Sequence, residues 1–143
     1  MTQTIIVADD HPLFRAALKQ AVNQAVPDAE TVEVDSIKAL QASVDSHPDA
    51  DLVLNMPGAH GFSGLVFMRG QYPGLPVVVV SGSEELQVMR RSIDYGASGF
   101  IPKSAPLPTI TEAIRAILEG DVWLPKGVAD KLERMHSDTT DFS

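Results

Sequence analysis

The sequence predicts an α/β fold in which helices cover both faces of a parallel sheet. Short apolar runs alternate along the chain with segments of helical periodicity, and no internal repeat is present. Runs that are apolar on both faces are typical of buried parallel strands, and such strands need crossover connections. No apolar run approaches the length of about 18 residues that a membrane span needs. We therefore expect one doubly wound domain.

Composition excludes several classes of protein. The chain has 143 residues, of which 44% are hydrophobic, and this content excludes a disordered chain. Eleven Lys and Arg against 19 Asp and Glu give a net charge of −8, which argues against DNA binding by this chain alone. Cysteine is absent, so disulfides and thiolate metal sites are excluded. The first residues lead directly into a strand, so we expect no signal peptide, no membrane association and a cytoplasmic location.

The first strand and helix are the clearest pair. Residues 5–8 are all apolar and end at Asp9. Asp10 is a candidate cap for a helix that has Pro12 in its first turn. One apolar helix face follows at i, i+3, i+4 spacing, formed by Phe14, Ala17, Leu18, Ala21, Val22 and Ala25.

Four further strand–helix pairs complete the domain. The predicted strands are residues 31–34, 50–54, 77–80 and 99–101, and the predicted helices between them are 37–44, 63–69 and 83–95. Gly96 is a plausible residue just after a helix end. Thr109 and Glu112 resemble a capping box for a fifth helix that closes at Gly120. The expected strand order is the flavodoxin-like 2-1-3-4-5, with the functional site at the carboxyl ends of the strands.

We assign residues 1–121 to this domain and residues 122–143 to a C-terminal extension. Residues 122–125 are a short apolar cluster, and apolar residues at helix-like spacing follow as far as Met135. Residues 136–143 are polar without an apolar period, which indicates a linker or a frayed end. The apolar part of the extension either packs back on the domain or forms a contact between two copies, since a bare apolar surface would be unusual.

Polar residues at the strand ends form a candidate site. Asp9 and Asp10 follow strand one, Asn55 strand three, Ser81 strand four and Lys103 strand five. Adjacent carboxylates raise each other's pKa unless a cation lies between them, and Mg²⁺ suits such a pair. A hydroxyl and an ammonium group are suited to holding phosphoryl oxygens. Singly, each residue is more ordinary as a helix cap, a turn residue or a solvated lysine, so their joint placement carries the functional interpretation.

Four motifs now carry a resemblance to a known family. They are Val-Ala-Asp-Asp-His-Pro-Leu-Phe-Arg at 7–15, Asn-Met-Pro-Gly at 55–58 followed by Gly61, Val-Val-Val-Val-Ser-Gly at 77–82, and Gly-Ala-Ser-Gly-Phe-Ile-Pro-Lys at 96–103. Over about residues 4–120 the chain resembles the receiver domain of bacterial two-component response regulators. The first motif and Gly-Asp-Val-Trp-Leu-Pro at 120–125 resemble the subgroup with a C-terminal LuxR-type helix-turn-helix.

The resemblance implies roles for the site residues. Asp10 would ligate Mg²⁺ directly, Asp9 mainly through water, and Asn55 through its main-chain carbonyl. Ser81 and Lys103 would contact a phosphoryl group. The implied function is control of transcription after a signal from a cognate histidine kinase.

Further residues bear on switching and partners. By the resemblance Phe100 would be the aromatic whose rotamer follows Ser81, although an ordinary core aromatic fits the sequence equally well. Arg90 and Arg91 lie on the fourth helix, either on a signalling face or on a plain solvated one. DNA would be reached only through a C-terminal domain that begins where this sequence stops, and a homodimer is the other expected partnership.

The sequence departs from the family pattern at strand three. The family places its phosphoacceptor aspartate three residues before the Met of Met-Pro-Gly, and Val53 stands there. The simplest description is a three-residue deletion within the pattern Asp-Leu-Val-Leu-Leu-Asp-Leu-Asn-Met-Pro-Gly. Asp51 is a poor substitute because moving it to the strand end would bring Pro48 into the sheet. We expect a shortened strand three, no phosphorylation and weak or absent Mg²⁺ binding.

Two alternatives remain open. In one, the chain is a phosphate-independent module that dimerises or binds a partner. In the other, it is a metal-dependent phosphatase on a similar sheet. Such enzymes carry Asp-x-Asp after strand one, whereas here the carboxylates are adjacent and followed by His11. We therefore expect no enzymatic activity.

Overall fold

A computed structural model describes residues 3–9, 12–55, 63–83 and 85–140. Five parallel strands form one sheet in the order β2-β1-β3-β4-β5, which confirms the predicted fold and strand order. The strands are β1 (Thr4–Ala8), β2 (Glu30–Val34), β3 (Leu52–Asn55), β4 (Val77–Ser81) and β5 (Gly99–Pro102). The helices are α1 (Pro12–Ala25), α2 (Ile37–Ser46), α3 (Ser63–Gln71), α4 (Leu86–Asp94), α5 (Leu107–Leu118) and α6 (Val128–Thr140).

The sheet separates two hydrophobic cores. Side chains alternate faces along each strand, so Ile5 and Val7 enter the core beneath α1 and α5, while Ile6 enters the core beneath α2, α3 and α4. All five residues of β1 are buried. This two-sided burial explains why the central strands are continuous apolar runs.

Strand β3 begins and ends later than the sequence predicted. Residues 50–54 were expected to form it, whereas the ladder with β1 runs from Leu52, opposite Ile5, to Asn55, opposite Ala8. Ala50 and Asp51 precede the strand and form main-chain hydrogen bonds of their own. The Asp51 N–H donates to the Thr4 carbonyl at 2.8 Å. The strand has four residues, one fewer than β1 and β4.

The glycines predicted after α4 and α5 are confirmed. Gly96 and Gly120 have φ of 97° and 100°, the left-handed conformation in which glycine avoids the steric cost that other residues meet. The predicted capping box at Thr109 is wrong. Helix α5 already begins at Leu107 after Pro106, because the Pro108 that follows favours the first helical turn, and Thr109 therefore lies inside the helix.

The C-terminal extension packs back on the domain. Trp123 forms an isolated parallel bridge with Gly99 of β5, and Val128 at the start of α6 is buried in the core that contains α4. The expectation that residues 136–143 are irregular is wrong for the described part, because α6 continues to Thr140. Packing of the first turns of α6 against the domain starts the helix. No Gly or Pro follows Gly127, so the sequence contains no strong helix breaker after that point.

None of the helices within the described ranges is long and apolar enough to cross a membrane.

Candidate functional site

The carboxyl edge of the sheet brings together the predicted site residues that the structure describes. Ala8, Asn55 and Val79 lie side by side in the ladder, and Ser81 pairs with Pro102 two residues farther along β4. Asp9 follows Ala8 directly, and Lys103 follows Pro102. Asp10 and His11 lie outside the described residues.

Asp9 is buried and held by its main chain. The residue is 2% exposed, and its N–H donates to the Val34 carbonyl at 3.0 Å. Its carbonyl accepts a hydrogen bond of 2.9 Å from the Arg15 guanidinium. Arg15 also forms an ion pair with Glu33, with 3.4 Å between Nε and Oε1. The main chain of Asp9 is therefore held from both α1 and β2.

Arg15 is a site residue that the residue-by-residue reasoning missed. Arg15 is the last residue of the 7–15 motif, yet the sequence alone indicates no role for it. An arginine one turn into a helix that follows a strand-ending carboxylate is a signal that could have found it, because that spacing brings its side chain back over the strand end.

Ser81 and Lys103 are joined through the main chain at the ends of β4 and β5. The Lys103 N–H donates to the Ser81 carbonyl at 2.8 Å. The Ser81 hydroxyl accepts a hydrogen bond of 3.1 Å from the Ser83 N–H, so it also shapes the turn that follows the strand. Both residues are half-buried, which leaves their side chains accessible from the edge.

The Lys103 ammonium group lies over an aromatic ring from α1. Its Nζ is 5.2 Å from the centroid of the Phe14 ring, a distance at which a cation is attracted to the ring face. The stem of the lysine passes Gly82, where a Cβ atom would lie 3.9 Å from Lys103 Cδ. Phe14 was predicted only as part of the apolar helix face, so its contact with the site is an addition.

Strand β3 contributes asparagine at this edge. Asn55 is its last residue, flanked by Ala8 and Val79. Val53 is fully buried in the sheet interior, and Leu52 and Leu54 point into the opposite core. The loop predicted to be remodelled, residues 56–61, lies outside the described residues.

Asp51 lies at the opposite end of the strands, beside the first residue of β1. Its carboxylate accepts a hydrogen bond of 3.0 Å from the Thr4 N–H at the start of β1. Asp51 lies four residue steps before Asn55, a distance of about 13 Å along the strand. Asp51 therefore cannot reach the groups at the carboxyl edge without unpairing β3.

Phe100 is fully buried, and its side chain belongs to the core beneath α4. Its N–H donates to the Trp123 carbonyl at 3.1 Å, so the outer edge of β5 is engaged by the C-terminal extension. On α4, Arg90 pairs with Asp94 at 3.6 Å, while Arg91 is exposed.

Comparison with known proteins identifies the family. Residues 5–115 match the response regulator receiver domain. This chain belongs to that family. The receiver is 42% identical over 127 residues to the glycerol metabolism activator of Pseudomonas putida, covering 87% of the chain and 58% of that protein. It is 29% identical to the transcriptional activator protein ExaE of Pseudomonas putida, covering 90% of the chain and 61% of that protein. The chain thus spans about three-fifths of the length of these relatives.

Solved structures give the same result. A LuxR family DNA-binding response regulator from Silicibacter pomeroyi superposes with a TM-score of 0.77 at 31% identity, covering 87% of this receiver and 98% of that chain. The isolated receiver domain of RcsB from Salmonella enterica serovar Typhimurium superposes with a TM-score of 0.78 at 19% identity, covering 92% and 99% of the two chains, and this likeness concerns the fold. Receivers act in two-component signalling with histidine kinases, typically bind Mg²⁺ and are in general regulators, not enzymes.

The donor atoms that the structure describes at the carboxyl edge of the sheet are of the chemical type that binds Mg²⁺. The Asp9 carboxylate and the Asn55 main-chain carbonyl are hard oxygen donors, which Mg²⁺ prefers. Within the described ranges, however, no group of three or more His, Cys, Asp or Glu side chains could hold a metal ion. Asp10, the other carboxylate expected at this edge, lies outside those ranges.

Proposed function

We propose that this chain is a receiver module of a transcription-regulating two-component pathway that does not accept a phosphoryl group on strand three. The observation that carries the proposal is the ladder of β3. The strand pairs with β1 from Leu52 to Asn55 and with β4 from Val53 to Asn55, and its four residues contain no carboxylate.

The neighbouring carboxylate supports the proposal by its position. Asp51 is engaged with Thr4 at the amino edge of the sheet, through its side chain and its main chain. Phosphoryl transfer requires the nucleophile to lie in line with the donor, close to the groups that stabilise the developing charge. Ser81 and Lys103 lie at the other end of the strands.

The remaining groups would still recognise phosphate-like anions weakly. Lys103 and Ser81 provide a cation and a hydroxyl, while Asp9, Asp10 and the Asn55 carbonyl would hold Mg²⁺ at reduced affinity. When bound, Mg²⁺ neutralises the charge of neighbouring oxygens. With no acceptor, this chain would act on its cognate histidine kinase, on a second copy or on another partner in the cytoplasm through binding alone. The names of the relatives support transcription as the process affected.

The test is the intact mass of the chain after incubation with acetyl phosphate and Mg²⁺. We expect an unchanged mass, because β3 places no carboxylate at the carboxyl edge of the sheet, where Ser81 and Lys103 lie. The matched control is a variant with Leu-Asp-Leu inserted between Leu54 and Asn55, which restores the family pattern. We expect that variant to gain one phosphoryl group, labile at alkaline pH.

Labelling of the chain itself would overturn the proposal. Asp51→Asn would then decide whether Asp51 is the acceptor after a rearrangement of β3. Failure of the insertion variant to label would show instead that another part of the site is defective.

A further inference from the structure

The C-terminal extension completes the outer edge of the sheet with one residue. The Trp123 N–H donates to the Ser98 carbonyl, and the Trp123 carbonyl accepts from the Phe100 N–H, each at 3.1 Å. Strand β5 is an edge strand, so these two groups would otherwise lack a strand partner. We define the strap as residues 122–132, which run from this bridge to the second turn of α6.

The strap packs so closely against Gly99 that a side chain at this position would clash with it. A Cβ atom at this position would lie 2.8 Å from the Trp123 carbonyl oxygen and 3.0 Å from Ile117 Cδ1. The φ of Gly99 lies outside the left-handed range, so its backbone conformation does not require glycine. Glycine inside a strand often marks the close approach of another backbone, and here that backbone is the strap.

The other end of the strap is held by a narrow apolar contact. Val128 is 7% exposed and Leu132, one helical turn later, is half-buried against the same core. Beside them a groove of about 330 Å³ remains between α4 and α6, lined by Arg90, Ile93, Asp94, Leu124, Ala129, Leu132 and Glu133. This groove is open to solvent, so α6 is not packed against α4 along its whole length.

We propose that the strap is a releasable cover for the β5 edge and the α4 face. In the docked state the main chain of Trp123 is hydrogen-bonded to the Ser98 carbonyl and to the Phe100 N–H. In the released state the strap leaves as a unit and opens that edge, while the five-stranded core stays folded. The device reaches the candidate site through β5, because Lys103 lies three residues beyond Phe100 and is hydrogen-bonded to Ser81. It goes beyond the proposed function and does not depend on phosphorylation.

Hydrogen exchange tests release directly. In the unmodified chain we expect the amides of Phe100 and Trp123 to exchange at least about tenfold faster than those of β1, because local opening needs less free energy than global unfolding. Gly99→Ala should speed exchange at these two amides further and leave β1 protected. Gly70→Ala is the matched control, because a Cβ at Gly70 would meet nothing within 4 Å.

Trp123 provides an independent readout, because it is the only tryptophan in the chain. It is half-buried when docked. Release should shift its emission to longer wavelength and lower its anisotropy in Gly99→Ala and leave both unchanged in Gly70→Ala.

A second substitution separates the two clashes at Gly99. Ile117→Val removes the Cδ1 atom, so the Gly99→Ala/Ile117→Val variant keeps only the clash with Trp123. We expect release to persist in it, and recovery of protection would overturn the proposal by attributing the effect to α5. Equal exchange rates for Phe100, Trp123 and β1 in the unmodified chain would also overturn it. If Gly99→Ala does not fold, Val128→Asp should release the strap, residues 122–132, with β1 still protected, and loss of all protection together would contradict a separate strap.

Discussion

At the scale of single residues, Gly96 lies where the Arg69 side chain connects the turn before β5 to the turn before β4. Its φ of 97° lies in the left-handed region, and a Cβ atom there would lie 2.9 Å from Arg69 Nε. Arg69 itself donates to the carbonyls of Pro73 and Leu75, so it braces the turn before β4 against the turn before β5.

We expect Gly96→Ala to lower the free energy of unfolding by about 1–2 kcal/mol, the usual cost of a left-handed alanine. Urea denaturation measures it. Gly74→Ala, where a Cβ would meet nothing within 4 Å, should stay within about 0.5 kcal/mol of the unmodified chain. Equal effects at the two glycines would contradict this account.

Tyr72 gives the chain a titration that can be checked. Its hydroxyl donates to the Asp45 carboxylate, and this hydrogen bond, with smaller contributions from desolvation and the charge of Asp45, raises the pKa of Tyr72. The contact therefore stabilises the fold below the ordinary tyrosine pKa of about 10 and is lost as pH rises through the raised pKa. Tyrosinate absorbance should show Tyr72 ionising above that value. Asp45→Ala removes both the acceptor and the charge and should abolish most of the upward shift in the pKa of Tyr72, and an unchanged titration curve would refute the assignment.

At the scale of helices and strands, two hydroxyl residues near helix starts behave differently. The Ser36 hydroxyl accepts a hydrogen bond of 3.1 Å from the Ala39 N–H and caps α2. Thr109 lies in the first turn of α5 and caps nothing, although its spacing to Glu112 resembles a capping box.

Ser36→Ala should therefore cost about 1 kcal/mol of stability, the usual value for a lost cap. Thr109→Ala should change stability by less than about 0.5 kcal/mol. Thermal or urea denaturation of the two variants decides the matter, and a larger loss for Thr109→Ala would restore the capping box.

Helices and strands differ in how far the sequence predicts them. The buried runs of β1 and β4 were predicted nearly to the residue, because both faces are apolar and a polar residue follows each. The start of β3 was misplaced, because the prediction included Ala50 and Asp51, whereas the Ala50 N–H donates to the His47 carbonyl and the ladder begins at Leu52. Helix α6 was underestimated, because its last turns carry no apolar period and periodicity was the signal used.

At the scale of the whole molecule, Mg²⁺ should have little effect on stability. A ligand stabilises the fold by RT ln(1 + [L]/Kd), about 2.7 kcal/mol at one hundred times Kd. For a domain of this size each kcal/mol shifts the melting temperature by about 3–5 °C.

We expect millimolar MgCl₂ to move the midpoint by less than about 1 °C, because β3 supplies no carboxylate. The variant with Leu-Asp-Leu inserted after Leu54 should gain several degrees in the same buffer. Calorimetry with CaCl₂ as a second cation separates a specific site from screening of the net charge of −8. An equal gain in both chains would contradict the assignment of β3.

The candidate site was predicted as far as topology allows. Parallel strands bring their carboxyl ends to one edge, so Asp9, Asn55, Ser81 and Lys103 were placed together from the strand order alone. The contacts of Phe14 and Arg15 with this edge were not predicted. They depend on how α1 is rotated against the sheet, and a helical repeat specifies the buried face without specifying what its first turn touches.

The two edges of the sheet are protected by different means. Strand β2 carries Glu30 and Glu33 on its exposed positions, and such charges repel a strand from another molecule. Strand β5 has a buried GFIP sequence and depends on Trp123 for cover. Shortening the chain before Trp123 would thus leave a fold with a hydrophobic edge open to self-association, so its solubility would depend on residues outside the receiver core.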